Sequence, residues 1–113
     1  MLTYKMLKTF IQPDFETGKL YWREVTAYEM REVYPGLDEK TSREWARKRN
    51  NQLAGQEAFT GIDQKGFLCG TVGGKKITAH RVMYSLKANK LVTKARVYHR
   101  NGNKLDNRPE NLF

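Results

Sequence analysis

Glycine and proline divide this chain into short segments, which limits every helix and strand to a modest length. The turn signals recur along the sequence: Pro13-Asp14, Glu16-Thr17-Gly18, Pro35-Gly36, Gly55, Gly61, Gly66, Gly73-Gly74 and Asn101-Gly102. Segments with helical and with strand patterns lie between them, and no internal repeat is present. A chain of 113 residues has room for one modest core. The sequence therefore predicts a single α+β domain over residues 1–113, with an N-terminal scaffold at 1–56 and a hairpin, a helix and a C-terminal motif at 57–113.

Four segments carry the apolar spacing or the flanking signals that are typical of helices: residues 3–12, 26–34, 42–52 and 80–87. Pro13 is expected to end the first, because the residue before a proline disfavours the helical conformation. Asp38 or Thr41 is the expected N-cap of the third. That helix is strongly basic around Trp45, and the sequence leaves open whether this side chain is a core anchor or an exposed contact.

Four short segments have the composition of strands: residues 20–22, 67–72, 75–79 and 95–98. Gly73-Gly74 lies between two of them and predicts a two-residue hairpin turn. The last of these segments ends at His99 and leads into a loop that contains an Asn-Gly pair. Pro109 is expected to begin a further helix, since proline is favoured at the first helical position.

Positive charge dominates the second half of the chain. The sequence has 21 Lys and Arg against 12 Asp and Glu, a formal net charge of +9, and the stretch from Gln64 to Lys104 holds ten basic residues and no acidic one. Basic side chains at this density neutralise phosphates and release counterions, which favours a polyanionic partner, with duplex DNA the leading candidate. The candidate contacts are Lys75, Lys76, Arg81, Lys94, Arg96, Arg100 and Lys104. A solvated basic face is the alternative, and a membrane surface is disfavoured because no helix has a clean apolar face.

Neither the cysteine content nor the hydropathy indicates an exported or membrane-spanning protein. Cys69 is the single cysteine, so we expect no intramolecular disulfide and no cysteine-based zinc site. No apolar run approaches the ~20 residues of a membrane span, and the first ten residues lack the apolar region of a signal peptide. We therefore expect a reducing, cytoplasmic setting.

Four blocks of the sequence resemble the HNH endonucleases of phages and mobile elements. Residues 99–112, HRNGNKLDNRPENL, are similar to the end of the family pattern D-H-x-N-G-x-x-x-D-N-R-x-x-N-L. Residues 77–82, ITAHRV, resemble the family's apolar-x-A-H-R-apolar stretch, and residues 13–22, PDFETGKLYW, resemble its opening D-x-E-T-G-x-L-x-W. Ala54-Gly55, followed by Gly66-Phe67, matches its A-G…G-Y spacing. The blocks cover nearly the whole chain in the family's order.

The resemblance implies a ββα-metal finger, or His-Me finger, at the C-terminus, in which two strands flank a loop and a helix packs across them. It gives His99 the role of the general base, which takes a proton from the attacking water. It gives Asn111 the role of orienting that histidine or supporting the finger. The loop residues Asn101-Gly102 and Asp106-Asn107-Arg108 match turn positions, for which a structural role is favoured.

Two candidate residues lie outside the expected finger. His80 matches a family histidine, and the favoured role is a scaffold histidine bonded to a backbone carbonyl. Arg81 is expected to be either a phosphate contact or a charge on the helix surface.

The chain departs from the family at both metal ligands. The residue before the catalytic histidine is normally an aspartate that binds the metal, and here it is Tyr98, whose phenol is a poor ligand for Mg²⁺ or Mn²⁺. The family's last ligand is an Asn or His in a closing helix about two turns beyond Asn111, whereas the sequence given ends two residues after Asn111. Phosphodiester hydrolysis needs charge neutralised on the phosphate and on the leaving oxygen. We therefore expect no cofactor and no metal ligand, with Mg²⁺ or Mn²⁺ bound only if the nuclease site is active.

These observations predict a nucleic-acid-binding protein of HNH-endonuclease descent, from a phage or mobile element, without nuclease activity of its own. Two alternatives stay open. The first is a metal-dependent HNH endonuclease or nickase of the homing type, with His99 and Asn111 as its catalytic residues. The second is a phage-encoded inhibitor that blocks a host defence or nucleic-acid-processing protein in the cytoplasm of the infected bacterium.

Overall fold

The computed structural model describes all 113 residues and contains four α-helices and two antiparallel three-stranded sheets. In chain order the elements are α1 (Tyr4–Phe10), β1 (Ile11–Asp14), β2 (Lys19–Trp22), α2 (Ala27–Val33), α3 (Glu39–Leu53), β3 (Glu57–Ala58), β4 (Gly61–Ile62), β5 (Leu68–Val72), β6 (Lys75–Thr78) and α4 (Ala79–Ala88). One 3₁₀ turn, Pro109–Asn111, follows near the C-terminus. The prediction of an α+β fold is therefore confirmed. None of the helices combines the length and the apolar character needed to cross a membrane.

The first sheet has the strand order β1-β2-β3, and a side-chain-supported turn joins its first two strands. The Oδ1 atom of Asp14 accepts hydrogen bonds from the backbone N–H groups of Glu16 and Thr17, at 3.0 and 3.3 Å. Gly18 completes the turn with a φ of +78°, a conformation that glycine adopts without steric cost. The D-x-E-T-G block is therefore a hairpin turn, and it pairs Asp14 with Lys19.

The second sheet has the strand order β4-β5-β6 and carries the predicted glycine hairpin. Both Gly73 and Gly74 have positive φ values, as a two-residue hairpin turn of type I′ requires. The turn pairs Val72 with Lys75. Because β6 runs directly into α4, His80 lies in the first turn of that helix, beside the sheet.

One apolar core joins the two sheets to α1 and α4. Leu7 of α1 and both Val82 and Met83 of α4 are fully buried, as is Leu20 of β2. The apolar face predicted for residues 80–87 therefore points into the core. Since α4 contacts α1, β5, β6 and the 3₁₀ turn, its first turn is held from several directions.

The pair α2 and α3 forms a second layer whose ends are fixed by side-chain caps. A capping box begins α2, and Asp38 is the N-cap of α3, where its Oδ1 accepts from the Thr41 backbone N–H. The alternative of Thr41 as the cap is wrong. Asn50 of α3 bonds both the N–H and the carbonyl of Val25, each at 2.8 Å. These bonds fasten α3 to the segment between β2 and α2.

One prediction for the N-terminal half is corrected, and one open alternative is settled. The first helix ends at Phe10, because Ile11 already has extended backbone angles, and Pro13 lies inside β1 instead of ending the helix. A proline is tolerated there because β1 is an edge strand of its sheet. Trp45 is 46% exposed and contacts Tyr34 edge-on, so it is a surface residue and not a core anchor.

The predicted strand at 95–98 is absent, and the C-terminal segments pair through a single bridge. His99 pairs with Leu112 in antiparallel fashion. The flanking backbone bonds join Tyr98 to Phe113 and the Arg100 N–H to the Asn111 carbonyl. Only three residues on each side take part, which is too short a ladder for a regular strand. The helix expected to begin at Pro109 is a single 3₁₀ turn.

Candidate nucleic-acid interface around His99

The His99 side chain is held by one hydrogen bond from the loop that follows it. Its Nε2 atom lies 2.8 Å from the Oδ1 atom of Asn107, a residue that is only 3% exposed. Because an amide oxygen can only accept, Nε2 is the nitrogen that carries the proton in this bond. In the neutral ring Nδ1 is then the nitrogen with a free lone pair, able to accept a proton.

Three rings from three separate parts of the chain meet beside this bond. The centroids of His80 and His99 are 4.9 Å apart, and Phe67 lies 4.7 Å from His80 and 5.9 Å from His99. His80 belongs to the first turn of α4, and Phe67 comes directly before β5. Three of the four blocks that resemble HNH endonucleases therefore meet at one place.

His80 is a buried and uncharged member of this cluster. Burial is the main reason that its pKa falls from 6.5 to about 4, and the nearby His99 and Arg81 lower it further, against a small opposing effect of Asp63. The expected bond from His80 to a backbone carbonyl is not formed, and the imidazole contacts the two neighbouring rings instead. His80 thus contributes packing, and it is neutral near pH 7.

Asn111 supports the loop between His99 and the 3₁₀ turn. Its Nδ2 atom donates to Asn101 Oδ1 at 3.0 Å and to the Asp106 carbonyl at 2.8 Å, while its Oδ1 accepts from the Asn101 N–H at 3.0 Å. The side chain is 5% exposed. Of the two roles expected for Asn111, the geometry matches support of the loop. The residue bonded to the imidazole is Asn107.

An ion pair closes the same loop on its exposed side. The Nε and Nη2 atoms of Arg108 donate to the two carboxylate oxygens of Asp106, each at 2.8 Å. This pairing holds the pKa of Asp106 well below its usual range. Asp106 also accepts from Asn101 Nδ2 at 2.9 Å. Within the D-N-R block, Asp106 and Arg108 therefore stabilise the loop itself, whereas Asn107 holds the His99 imidazole.

A polar groove of about 450 Å³ opens beside the ring cluster. We call it the cationic groove; it is lined by Asp63, Gln64, Lys65, Phe67, Lys76, Thr78, His80 and Arg81. Three of these side chains are cationic and one is anionic. Two of its members, Phe67 and His80, are also members of the ring cluster, so the groove leads up to His99.

The seven predicted contact residues do not all line the cationic groove. Lys76 and Arg81 line the cationic groove, and Lys75 joins them along a neighbouring groove at the edge of β6. Arg81 also has a structural bond, because its Nη1 donates to the Ala95 carbonyl at 2.7 Å. The Lys104 ammonium donates to the Lys65 carbonyl and lies 5.0 Å from the Phe67 ring centroid.

The other three predicted contact residues lie further along the chain. Lys94 and Arg96 are exposed in the segment after α4. The guanidinium of Arg100 lies over the ring of Phe113, at 4.7 Å from its centroid. These residues are accessible, but none of them lines the cationic groove.

The predicted site residues do not include Lys65 or Asn107, nor the groove residues Asp63, Gln64, Phe67 and Thr78. Lys65 was counted within the acid-free stretch but was not singled out, and it faces the cationic groove because Asp63 folds the segment into a turn. Asp63 Oδ1 accepts from the N–H groups of Lys65 and Phe67. The D-x-K-G sequence of this turn was the available signal. Asn107 was assigned to the turn, and only the three-dimensional path of the loop brings it to His99.

Tyr98 lies in the position of the family's metal-binding aspartate. The side chain is 48% exposed, and its ring contacts that of Phe113 at a centroid distance of 5.4 Å. Nowhere in the structure do three or more His, Cys, Asp or Glu side chains come together as a metal ligand set. Because a packed phenol stands where the resemblance implies a carboxylate, the residues beside His99 do not fit the metal that the resemblance implies.

Comparisons with protein-family models, with curated proteins and with solved structures each gave no match.

Proposed function

We propose that this chain is a nucleic-acid-binding protein of HNH-endonuclease descent, from a phage or mobile element, which contacts duplex DNA in the cytoplasm of the host. The observation that carries the proposal is the cationic groove beside His99. Lys65, Lys76 and Arg81 line it against one carboxylate, that of Asp63. A phosphate backbone matches a groove of this charge, since each neutralised phosphate releases counterions.

The groove also has the mixed lining that a nucleic acid backbone requires. Gln64, an exposed residue, supplies a neutral hydrogen-bonding group to the lining. Backbone contacts of this kind position a protein on DNA without reading its sequence. We therefore propose binding with little sequence preference and with a strong dependence on salt.

Absence of nuclease activity is part of the same proposal and rests on Tyr98. A phenol that packs on Phe113 does not replace a carboxylate as a ligand for Mg²⁺ or Mn²⁺. Without a metal, a general base alone contributes about 10²–10⁴-fold to a reaction rate and does nothing for the leaving oxygen.

A metal-dependent endonuclease or nickase is the second candidate, and the hydrogen bond between His99 and Asn107 favours it. The bond leaves Nδ1 of the neutral ring as the proton acceptor, which is what a general base requires. The assay is conversion of supercoiled plasmid to nicked circles in the presence of Mg²⁺ or Mn²⁺, compared between the natural chain and His99→Ala. We expect no conversion by either. Nicking that His99→Ala abolishes, while the variant stays folded and DNA-bound, would establish the second candidate.

Salt-dependent binding of a labelled duplex tests the main proposal. We expect a slope of several units in a plot of log K against log salt, and a slope smaller by about two for the double variant Lys65→Ala/Lys76→Ala. The matched control is Lys5→Ala/Lys8→Ala, which removes two exposed charges from α1, outside the cationic groove. An equal effect of the two double variants, or no binding at low salt, would contradict the proposal.

A further inference from the structure

A second groove, of about 410 Å³, shares no residue with the cationic groove. We call it the aromatic groove. It lies among α1, β2, α2, α3 and the β5–β6 turn, and its aromatic members are Phe10, Trp22, Tyr34 and Trp45. Ligand sites typically have this size and this predominantly apolar and aromatic lining. No aspartate or glutamate lines it.

Trp45 presents a large ring to solvent at the edge of this groove. It is 46% exposed, and its indole is fixed edge-on against the Tyr34 ring, with centroids 5.9 Å apart. The contact holds the indole in place and leaves much of it free. A flat exposed ring of this kind is a surface on which another planar group can stack.

Arg49 brings a cation to the same groove without a counter-charge. Its guanidinium carbon lies 4.4 Å from the Phe10 ring centroid and 5.2 Å from that of Trp22. The side chain makes one hydrogen bond, from Nη1 to the Arg23 carbonyl at 3.3 Å, although a guanidinium has five N–H donors. Burial lowers the pKa of Arg49; the nearby Tyr34 opposes this effect, and no carboxylate contributes. A half-buried cation without an anionic partner is costly, so an anionic ligand would stabilise it.

Lys48 adds a second cation to the lining, one residue before Arg49. The β5–β6 turn, with Gly73 and Gly74, also lines the groove. The chain continues from this turn into Lys75 of the basic strand β6. The groove therefore joins aromatic faces to positive charge within a basic part of the surface.

We infer that the aromatic groove binds one nucleotide of a single-stranded nucleic acid, with its base stacked on Trp45 and its phosphate on Arg49 and Lys48. Base stacking on aromatic side chains within a positively charged groove is the usual way in which proteins hold single strands. A guanidinium suits a phosphate because it can donate two parallel hydrogen bonds. The inference rests on the proposed function and adds to it the single-stranded form of the ligand. In this arrangement the cationic groove holds duplex and the aromatic groove holds an unpaired strand.

The test uses a labelled oligothymidine and a labelled duplex of the same length, with fluorescence anisotropy as the readout. Trp45→Ala is expected to weaken oligothymidine binding about five- to a hundred-fold, because stacking on one ring contributes that much. Arg49→Lys keeps the charge but loses the planar fork, and we expect it to weaken the same ligand. The matched control is Tyr28→Ala, which removes an exposed ring from α2 outside the groove. We expect the duplex affinity to change by no more than about two-fold in any of the variants Trp45→Ala, Arg49→Lys and Tyr28→Ala.

The possible results separate this inference from the proposed function. If the natural chain binds the duplex but not oligothymidine, the inference is wrong and the proposed function stands. The same holds if oligothymidine binds to Trp45→Ala as tightly as to the natural chain. If neither ligand binds, both are wrong. If a polyglutamate peptide displaces oligothymidine from the natural chain at equal concentration, the groove is a site for acidic protein segments and the inference is overturned. Circular dichroism confirms folding, and Trp45→Ala decides the matter alone if Arg49→Lys is unfolded.

Discussion

Gly18 lies so close to the backbone of Arg108 that a Cβ atom on Gly18 would be 2.3 Å from the Arg108 nitrogen. The same atom would be 2.5 Å from the carbonyl carbon of Asn107. The hairpin turn between β1 and β2 is therefore in direct backbone contact with the loop that holds the His99 imidazole. This contact joins the fourth block of family resemblance to the other three, and it requires a residue without a side chain.

Gly18→Ala is expected to destabilise the protein by at least about 2 kcal/mol. Alanine is strained at a φ of +78°, and its methyl group would collide with backbone atoms, which cannot rotate away as the end of a side chain can. Chemical denaturation measures the loss. We also expect the His99 ring resonances to shift, because the collision displaces Asn107.

Gly102→Ala is the matched control for that variant. Gly102 has a similar φ of +74°, but nothing lies within 4 Å of the position of its Cβ. Its replacement therefore carries the backbone strain alone, about 1 kcal/mol. Equal losses for the two variants would mean that the contact between Gly18 and Arg108 does not constrain the fold.

Asn111→Ala is expected to cost about 2–3 kcal/mol of unfolding free energy. The substitution removes three hydrogen bonds from a buried side chain and leaves the Asn101 N–H and the Asp106 carbonyl without their partner. Asn103→Ala is the control. Its Oδ1 accepts a single bond, from the Leu105 N–H, at the exposed end of the same loop, and we expect a loss of about 1 kcal/mol or less. A smaller loss for Asn111→Ala than for Asn103→Ala would show that Asn111 does not support the loop.

Turns and caps were predictable because each depends on neighbouring residues. Gly73-Gly74 can form a tight turn wherever two short strands flank it, and the Asp38 side chain reaches the Thr41 N–H within one helical turn. The segment at 95–98 shows the limit of this reasoning. Its composition favours an extended strand, but a strand also needs a partner, and within this segment only Tyr98 is paired, through its backbone bonds with Phe113.

Some residues of the candidate site could be predicted from the sequence, but their contacts with one another could not. A resemblance singles out His99, and the charge pattern singles out Lys76 and Arg81 as contact residues. The bond between His99 and Asn107 depends on the path of the whole loop, which Asn111 and the contact with Gly18 fix from two sides. No local pattern carries that information.

Tyr98→Asp tests whether residue 98 controls metal binding beside His99. The variant should lose about 1 kcal/mol of stability, because the ring contact with Phe113 disappears. Addition of Mn²⁺ should also raise the Tm of this variant but not that of the natural chain. Carboxylate oxygens bind this class of cation, and a ligand that binds only the folded state stabilises the folded state. Tyr98→Asn loses the same ring without adding charge, and its Tm should not respond to Mn²⁺. An equal response of the natural chain and Tyr98→Asp would show that residue 98 does not control metal binding.

The final prediction concerns the pH dependence of stability that the burial of His80 creates. The pKa of His80 is about 4 in the folded chain and near 6.5 when exposed, so between these values the unfolded chain binds a proton that the folded chain does not. Stability contributed by neutral His80 is therefore present above pH 6.5 and is lost as the pH falls toward 4, by about 3 kcal/mol at most. His80→Phe keeps a ring between Phe67 and His99 but cannot titrate, so its stability should fall less over this range.

Urea denaturation at intervals between pH 4.5 and 6.5 measures this difference. Carboxylates of lowered pKa, such as Asp63, also contribute to the slope at the acidic end of this range, and the comparison removes their contribution because both chains contain them. A slope for His80→Phe as steep as that of the natural chain would assign the pH dependence to other groups and would remove His80 as the buried neutral partner of His99.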